Sequence, residues 1–315
     1  MSNPESSRGE VASVNVSSVK GVPKSPVERI VLNGRGVEGD AHAGAWHRQV
    51  SLLGEESIGR FVEQTGRQTE PGEFAENITV RGLDFAALGM LDRIQVGQAE
   101  LEVTQFGKDC HGSRCAIFEQ VGKCVMPSEG VFARVVNGGE VKPGDAVLHR
   151  PRPLRVLIVT LSDRAAAGEY EDRSGPHVRR LVEEFLAGKR WHPRIESVLI
   201  GDDAARLRAI LLEAREAGVD VIVTTGGTGV GPRDITPETV LSVFDKPIPG
   251  IMENIRVKFG QTKPNALLSR SVAAVAGATQ CYALPGSVRA VEEYMGEILK
   301  TLEHVIFMLH GIDTH

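Results

Sequence analysis

A largely apolar run, residues 219–223, passes without a spacer into Thr224-Thr225-Gly226-Gly227-Thr228-Gly229-Val230-Gly231-Pro232-Arg233-Asp234-Ile235-Thr236-Pro237-Glu238-Thr239. A buried strand that empties into so much glycine must turn sharply. Gly226, Gly227, Gly229 and Gly231 free the backbone to take positive φ and let N–H groups approach a ligand with no Cβ between. Thr236-Pro237-Glu238 reads as an N-cap followed by proline at the first helical position, which predicts a helix start facing the loop. Strand, glycine loop and helix start together favour a bound phosphate. No Lys-Ser or Lys-Thr closes the loop, and the glycines miss the Gly-x-Gly-x-x-Gly register, so neither common nucleotide motif applies. A tight turn without a ligand is the plainer alternative, and the glycine density argues against it.

The 315 residues predict two domains, and an apolar fraction of 41% suffices for ordinary cores. Thirty-six basic against 41 acidic residues give a net charge of −5, which argues against a general nucleic-acid binder. No run resembles a membrane span. Residues 1–10 are polar and lack an apolar core, so they read as a short flexible tail and not as a secretory signal. Four cysteines, Cys110, Cys115, Cys124 and Cys281, are too few for a disulfide scaffold, and reduced thiols in a cytoplasmic protein are expected. The proline-punctuated segment 149–153 marks the expected boundary, near Pro151.

Beyond it, residues 155–161, 195–200 and 219–224 read as strands, and 176–186 and 204–217 as amphipathic helices, the second closed by Gly218. The alternation predicts an α/β fold with a mainly parallel sheet flanked by helices, whose ligand sits outside the carboxyl ends of the strands. Ser162-Asp163-Arg164, Gly201-Asp202-Asp203 and the glycine loop all fall at such ends. Cys281 lies in an apolar strand and reads as a buried small hydrophobe.

Leu161-Ser162-Asp163-Arg164, Gly201-Asp202-Asp203, residues 225–237, Ile248-Pro249-Gly250, Leu268-Ser269-Arg270 and Leu284-Pro285-Gly286-Ser287 resemble the molybdopterin adenylyltransferase family, over a domain set at 154–311. A domain of competence-damage-type proteins shares the loop, but the Arg-Asp-Ile-Thr-Pro continuation is closer to the adenylyltransferases. The resemblance implies that the terminal phosphate of molybdopterin attacks the α-phosphate of ATP and expels pyrophosphate, with Mg2+ held by carboxylates. It assigns Asp202 and Asp234 as the catalytic and metal carboxylates, and Gly201 and Asp203 depart from its Pro-Asp-Glu turn, which leaves open whether Asp202 or Asp203 acts. It further implies nucleotide or pterin contacts for Ser162, Asp163, Thr225, Gly226, Gly227, Thr228, Gly229, Arg233, Glu253, Ser269, Arg270, Pro285, Gly286 and Ser287, with the Arg270 guanidinium gripping phosphate.

Residues 11–149 carry short apolar stretches separated by glycines and turns, which predicts a mostly-β barrel, with helices over 52–65 and 129–136. Lys20-Gly21, Gly36-Val37-Glu38-Gly39-Asp40-Ala41-His42, Trp46-His47-Arg48-Gln49, Phe74-Ala75-Glu76-Asn77-Ile78, Gly107-Lys108-Asp109-Cys110-His111 and residues 124–133 resemble a MOSC domain. That resemblance implies binding or sulfuration of the pterin cofactor through Lys20, Asp40, His42, His47, Arg48, Cys110 and Cys124, and with it molybdenum ion and pyridoxal phosphate binding. Inert thiols or a zinc site are the alternatives for the cysteines.

Both halves thus point to molybdenum cofactor biosynthesis, with ATP and molybdopterin as small-molecule substrates. A non-catalytic carrier of the cofactor is the alternative reading. The resemblance also implies a homo-oligomer, a trimer or higher, and contacts with a molybdate-insertion enzyme and apo-molybdoenzymes, but no nucleic acid or membrane.

Overall fold

The computed structural model describes residues 7–108 and 124–313, which divide into two compact units, residues 1–152 and 153–315. Cys110 and Cys115 lie outside the described residues.

The N-terminal unit is a closed barrel. Strands β1 (Arg8–Val16), β2 (Ser25–Val27), β3 (Ile30–Asn33), β4 (Gly36–Val37), β5 (Val50–Gly54), β6 (Ile78–Arg81), β7 (Arg93–Val96), β8 (Ala99–Phe106), β9 (Val131–Asn137), β10 (Gly139–Val141) and β11 (Ala146–Arg150) form it. The order β11-β7-β8-β9-β5-β6-β1 closes on itself because Arg8 pairs with Leu148 across β1 and β11, while β2 extends β1 and β10-β3-β4 form a small second sheet. Inward residues of successive strands, among them Val11, Val14, Leu52, Ile78, Val80, Ile94, Leu101 and Val147, fill the interior. Closure removes the unpaired edges an open sheet would expose.

Three expectations change here. Arg8 to Glu10 open β1 and are not part of a tail. Val50–Gly54 is a strand buried on both faces, so the helix expected over 52–65 begins only at Glu55, with Glu55 and Glu56 in its first turn and Gly66 at φ 71 closing it. The helix expected over 129–136 is strand β9, preceded by a single helical turn at Met126–Glu129. Val131, Phe132, Val135 and Val136 are β-branched or aromatic, and pairing with β5 and β8 overrides any helical spacing.

In the C-terminal unit, β12 (Pro153–Leu161), β13 (His192–Ile200), β14 (Val221–Thr225), β15 (Lys246–Pro247), β16 (Ala273–Ala276) and β17 (Thr279–Leu284) form one sheet in the order β13-β12-β14-β17-β16-β15. The sheet is mixed. β13, β12, β14 and β17 run parallel, whereas β16 folds back on β17 through Gly277 at φ 58 and β15 pairs antiparallel to β16. β14 and β17 are buried at every position, polar Thr224, Thr225, Thr279 and Gln280 included, as strands covered on both faces are. Helix Ser174–Leu186 packs against helix Val288–Leu309, and helix Ala204–Glu216 against the short helix Thr236–Leu241. Leu207, Leu211, Ile222, Phe244 and Cys281 share one core layer, and burial pushes the Cys281 thiol well above its ordinary range. No helix among the described residues is long and apolar enough to cross a membrane.

Candidate functional site

The glycine loop leaves the sheet between the carboxyl ends of β12 and β17. Gly226, at φ 100, donates its N–H to the Leu284 carbonyl at 2.9 Å, and a Cβ there would lie 2.3 Å from the Leu161 carbonyl oxygen. Gly227 takes φ 63, but Gly229 and Gly231 do not take positive φ. Gly229 serves close approach instead, since a Cβ would stand 2.7 Å from the Asp234 carboxylate. That carboxylate accepts the Gly231 N–H at 2.7 Å and so closes the loop on itself.

Two expected roles in the loop are corrected. Thr236 is the first residue of its helix and not the cap: its hydroxyl donates to the Gly226 carbonyl at 2.8 Å, and Ile235 precedes it without a side-chain cap. Arg270 does not reach outward for phosphate. It donates from Nε to the Gly229 carbonyl at 2.6 Å, from Nη2 to the Asp234 carbonyl at 2.7 Å, and from Nη1 to the Glu238 carboxylate. A planar fork on two carbonyls of one loop fixes that loop's shape.

Asp163 and Asp202 come from the ends of β12 and β13. The Asp202 N–H donates to Asp163 Oδ1 at 2.8 Å, and Arg233 Nη1 donates to Asp163 Oδ2 at 3.2 Å. Burial, and next the negative charge of Asp163, push the Asp202 carboxyl above the usual carboxylate range. The neighbouring Asp203 is exposed and caps helix Ala204–Glu216 through the Arg206 N–H, so of the two only Asp202 faces the crevice. Ser162 caps the turn Asp163–Ala166 and contacts the Tyr170 hydroxyl at 2.7 Å.

Two crevices result, and they share Gly227 and Asp234. One, of about 320 Å3, is acidic, lined by Asp163, Asp202 and Asp234 with Ser162, Arg164 and Arg233. The other, of about 570 Å3, lies between Thr228-Gly229-Val230, the 3-10 turn Pro264–Leu268, and Pro285-Gly286-Ser287 at the start of helix Val288–Leu309. Ser287 caps that helix by accepting the Ala290 N–H at 3.3 Å. Ser269 lines the second crevice, its hydroxyl 2.8 Å from that of Ser271.

Thr225 and Glu253 are not brought to either crevice. Thr225 is fully buried, with its hydroxyl 2.9 Å from that of Ser174, and Glu253 is exposed on helix Pro249–Gly260. The Thr225 contact exposes a residue the sequence reading passed over. Asp172 accepts from the Ser174 N–H at 2.9 Å, the Ser174 hydroxyl at 3.0 Å and the Gly175 N–H at 3.1 Å with Oδ1, and from the Thr160 hydroxyl at 2.7 Å with Oδ2. It ties β12, the next helix start and, through Ser174, the head of the glycine loop. The Asp-x-Ser-Gly-Pro string of an Asx turn was its available signal.

The N-terminal unit holds a pocket of about 160 Å3 lined by His42, Trp46, Arg48, Lys108, Cys124 and, on its apolar side, Phe74, Met126 and Phe132. The Arg48 guanidinium lies 4.8 Å from the Trp46 ring centre. Cys124 is half-buried there. Asp40 is not in the pocket lining. Its buried carboxylate accepts from Lys24, from the Ser17 N–H at 3.2 Å, the His42 N–H at 2.9 Å and Asn77 Nδ2 at 3.0 Å. Against the burial that would raise it, hydrogen bonds from His42 and Lys24 hold Asp40 far below the usual range. Asp40 therefore positions His42, with Lys24 as its unforeseen buried counter-ion. Lys20 is exposed and lines no part of the pocket, where Lys108 supplies the second cation, and His47 is buried away from it.

Residues 157–304 match the probable molybdopterin binding domain family and residues 39–148 the MOSC domain. A molybdopterin adenylyltransferase of Escherichia coli (strain K12) is 34% identical over 161 residues, 50% of this chain and 80% of that protein. A molybdenum cofactor biosynthesis bifunctional protein of Synechococcus elongatus is 35% identical over 156 residues, and the match spans 50% of this chain and 47% of that protein. A solved structure of MogA superposes with a TM-score of 0.45 at 37% identity, covering 50% of this chain and 99% of that one.

Proposed function

We propose, from the premise that this chain belongs to the molybdopterin adenylyltransferase family and carries a MOSC domain, that its C-terminal unit transfers AMP from ATP to molybdopterin in molybdenum cofactor biosynthesis. The observation that carries this reading is the shared wall: Gly227 and Asp234 line both crevices, so two ligands meet across one loop. A displacement at phosphorus needs nucleophile and leaving group on opposite sides of the reacting atom. A phosphate oxygen of the pterin forms the new P–O bond at the α-phosphorus as the bond to the β-phosphate breaks, and pyrophosphate leaves with the electron pair. Loop N–H groups and the start of helix Val288–Leu309 stabilise the charge on the phosphate oxygens.

Asp202 and Asp234 suit a magnesium ion. Asp202 is already driven toward its protonated form by burial and by the charge of Asp163, a crowding of carboxylates that a divalent cation relieves. When bound, the ion neutralises charge on the phosphates. The two carboxylates hold it, and Arg270 keeps the loop carbonyls turned away from the anion.

In the N-terminal unit, Arg48, Lys108 and His42 around Cys124 suit an anionic cofactor beside a thiol, and we assign that pocket to binding or sulfuration of the same pterin. The test is a product assay: the full chain with ATP, magnesium and molybdopterin yields adenylylated pterin and pyrophosphate. Pterin binding with no ATP consumption would leave only a carrier.

A further inference from the structure

Tyr294 lines the second crevice at 2% exposure, yet its buried hydroxyl has no hydrogen-bond partner among the described residues. Buried phenols rarely stay unpaired, because a hydroxyl stripped of water without replacement is unfavourable. Its placement follows from helical spacing. Arg289, Ala290, Glu293 and Tyr294 recur at three- and four-residue intervals and turn one face of the first turns of helix Val288–Leu309 to the crevice. On that face the Glu293 carboxylate is shared by Lys263 and by Arg289 Nε, the latter at 3.2 Å. Val230, Ala266 and Leu268 supply apolar wall.

An apolar wall, a buried phenol and a phosphate-binding loop side by side match one ligand chemistry, a flat nitrogen heterocycle that carries a phosphate. We propose that Tyr294 is a specificity-determining residue of this crevice, its hydroxyl hydrogen-bonding the ring edge of the heterocycle, nucleobase or pterin, that enters there. The assignment rests on the reading of the glycine loop as the phosphate site. A pocket built to hydrogen-bond a ligand discriminates strongly against its absence, since the buried partner is then left unpaired.

The full chain, wild type and Tyr294→Phe, is titrated calorimetrically with magnesium ATP, with 6-hydroxymethylpterin and with magnesium tripolyphosphate. Tyr294→Phe weakens ATP, the pterin or both by about 10-fold, which identifies the ring source, and leaves tripolyphosphate unchanged. The unfolding temperature without ligand stays the same or rises, because the hydroxyl has no partner to lose. Unchanged affinity for both heterocycles, an equal loss for tripolyphosphate, or a lowered unfolding temperature overturns the assignment. Wild-type protein that fails to bind tripolyphosphate overturns instead the phosphate-site reading beneath it.

Discussion

Arg270 holds Gly229 in place, its Nε donating to the Gly229 carbonyl oxygen at 2.6 Å. The same guanidinium reaches the Asp234 carbonyl at 2.7 Å and the Glu238 carboxylate, so one side chain spans the loop from its middle to the following helix. An ammonium has the charge but not the fork. Arg270→Lys is expected to lower kcat/KM almost as far as Arg270→Ala, on the order of 10–100-fold, through a displaced loop. Urea unfolding should register a loss of about 1–3 kcal/mol for either variant. Wild-type kinetics in the lysine variant would remove the bracing role.

Asp234→Asn separates shape from charge. The carboxylate accepts the Gly231 N–H at 2.7 Å, and an amide oxygen can do the same, so the loop keeps its form. Stability should change by less than about 1 kcal/mol, while turnover falls by about 100-fold or more and the magnesium requirement shifts upward. A magnesium titration of the initial rate reads both, and a variant with retained turnover excludes Asp234 from the chemistry.

Gly226→Ala tests the tight end of the loop. Its φ of 100 disfavours any side chain, and the new Cβ would stand 2.3 Å from the Leu161 carbonyl oxygen, which strand pairing holds fixed. Strain and clash together predict a loss of about 3 kcal/mol or more. Gly250→Ala is the control: no atom lies within 4 Å of its Cβ position, at the start of a helix, so it should be neutral or stabilising by up to about 1 kcal/mol. Equal melting temperatures for the two variants would contradict the geometry.

The sequence carried the loop and the strand ends because each depends on contiguous residues: Thr225 through Pro237 encode the turn, and Ser162-Asp163 and Gly201-Asp202 follow their strands directly. What it hid depends on distant pairing. Lys24 is one lysine among many until the barrel brings it to Asp40, and Tyr294 looks like any core aromatic on an amphipathic helix until the crevice opens beside its neighbours. Arg270 was identifiable as important but not as a brace, since nothing in Leu268-Ser269-Arg270 reveals which carbonyls lie within reach. The misread strand β9 shows tertiary pairing deciding between periods that a short apolar run leaves open.

Lys24→Met should be costly although no ligand contact is lost. Lys24 and Asp40 have side chains 1% and 0% exposed, and removing the cation strands a buried carboxylate. Breaking such a pair from one side costs about 3–5 kcal/mol. Lys24→Met combined with Asp40→Asn should recover at least half, because the amide oxygen, in the place of Oδ2, still accepts from Ser17 and Asn77 while the stranded charge is gone. Chemical denaturation of the two variants measures this, and an additive double variant would refute the coupling.

The acidic crevice sets a pH dependence whose sign follows from Asp202. Its folded-state pKa is raised, first by burial and next by the charge of Asp163, so between the unfolded and folded values the native chain binds the proton more strongly. Its contribution to stability is therefore complete below the unfolded value and is lost as pH rises through the folded one. Magnesium ATP runs the other way, since the cation needs the carboxylate, and affinity should climb as pH rises through that raised value. Asp163→Asn keeps an oxygen for the Asp202 N–H, now accepted at 2.8 Å, but removes the charge. Both profiles should then move to lower pH. Carbon-detected NMR titration of the Asp202 carboxyl follows the first and calorimetry with magnesium ATP the second, and an Asp202 titration that Asp163→Asn leaves in place would show that Asp163 does not act on it through charge.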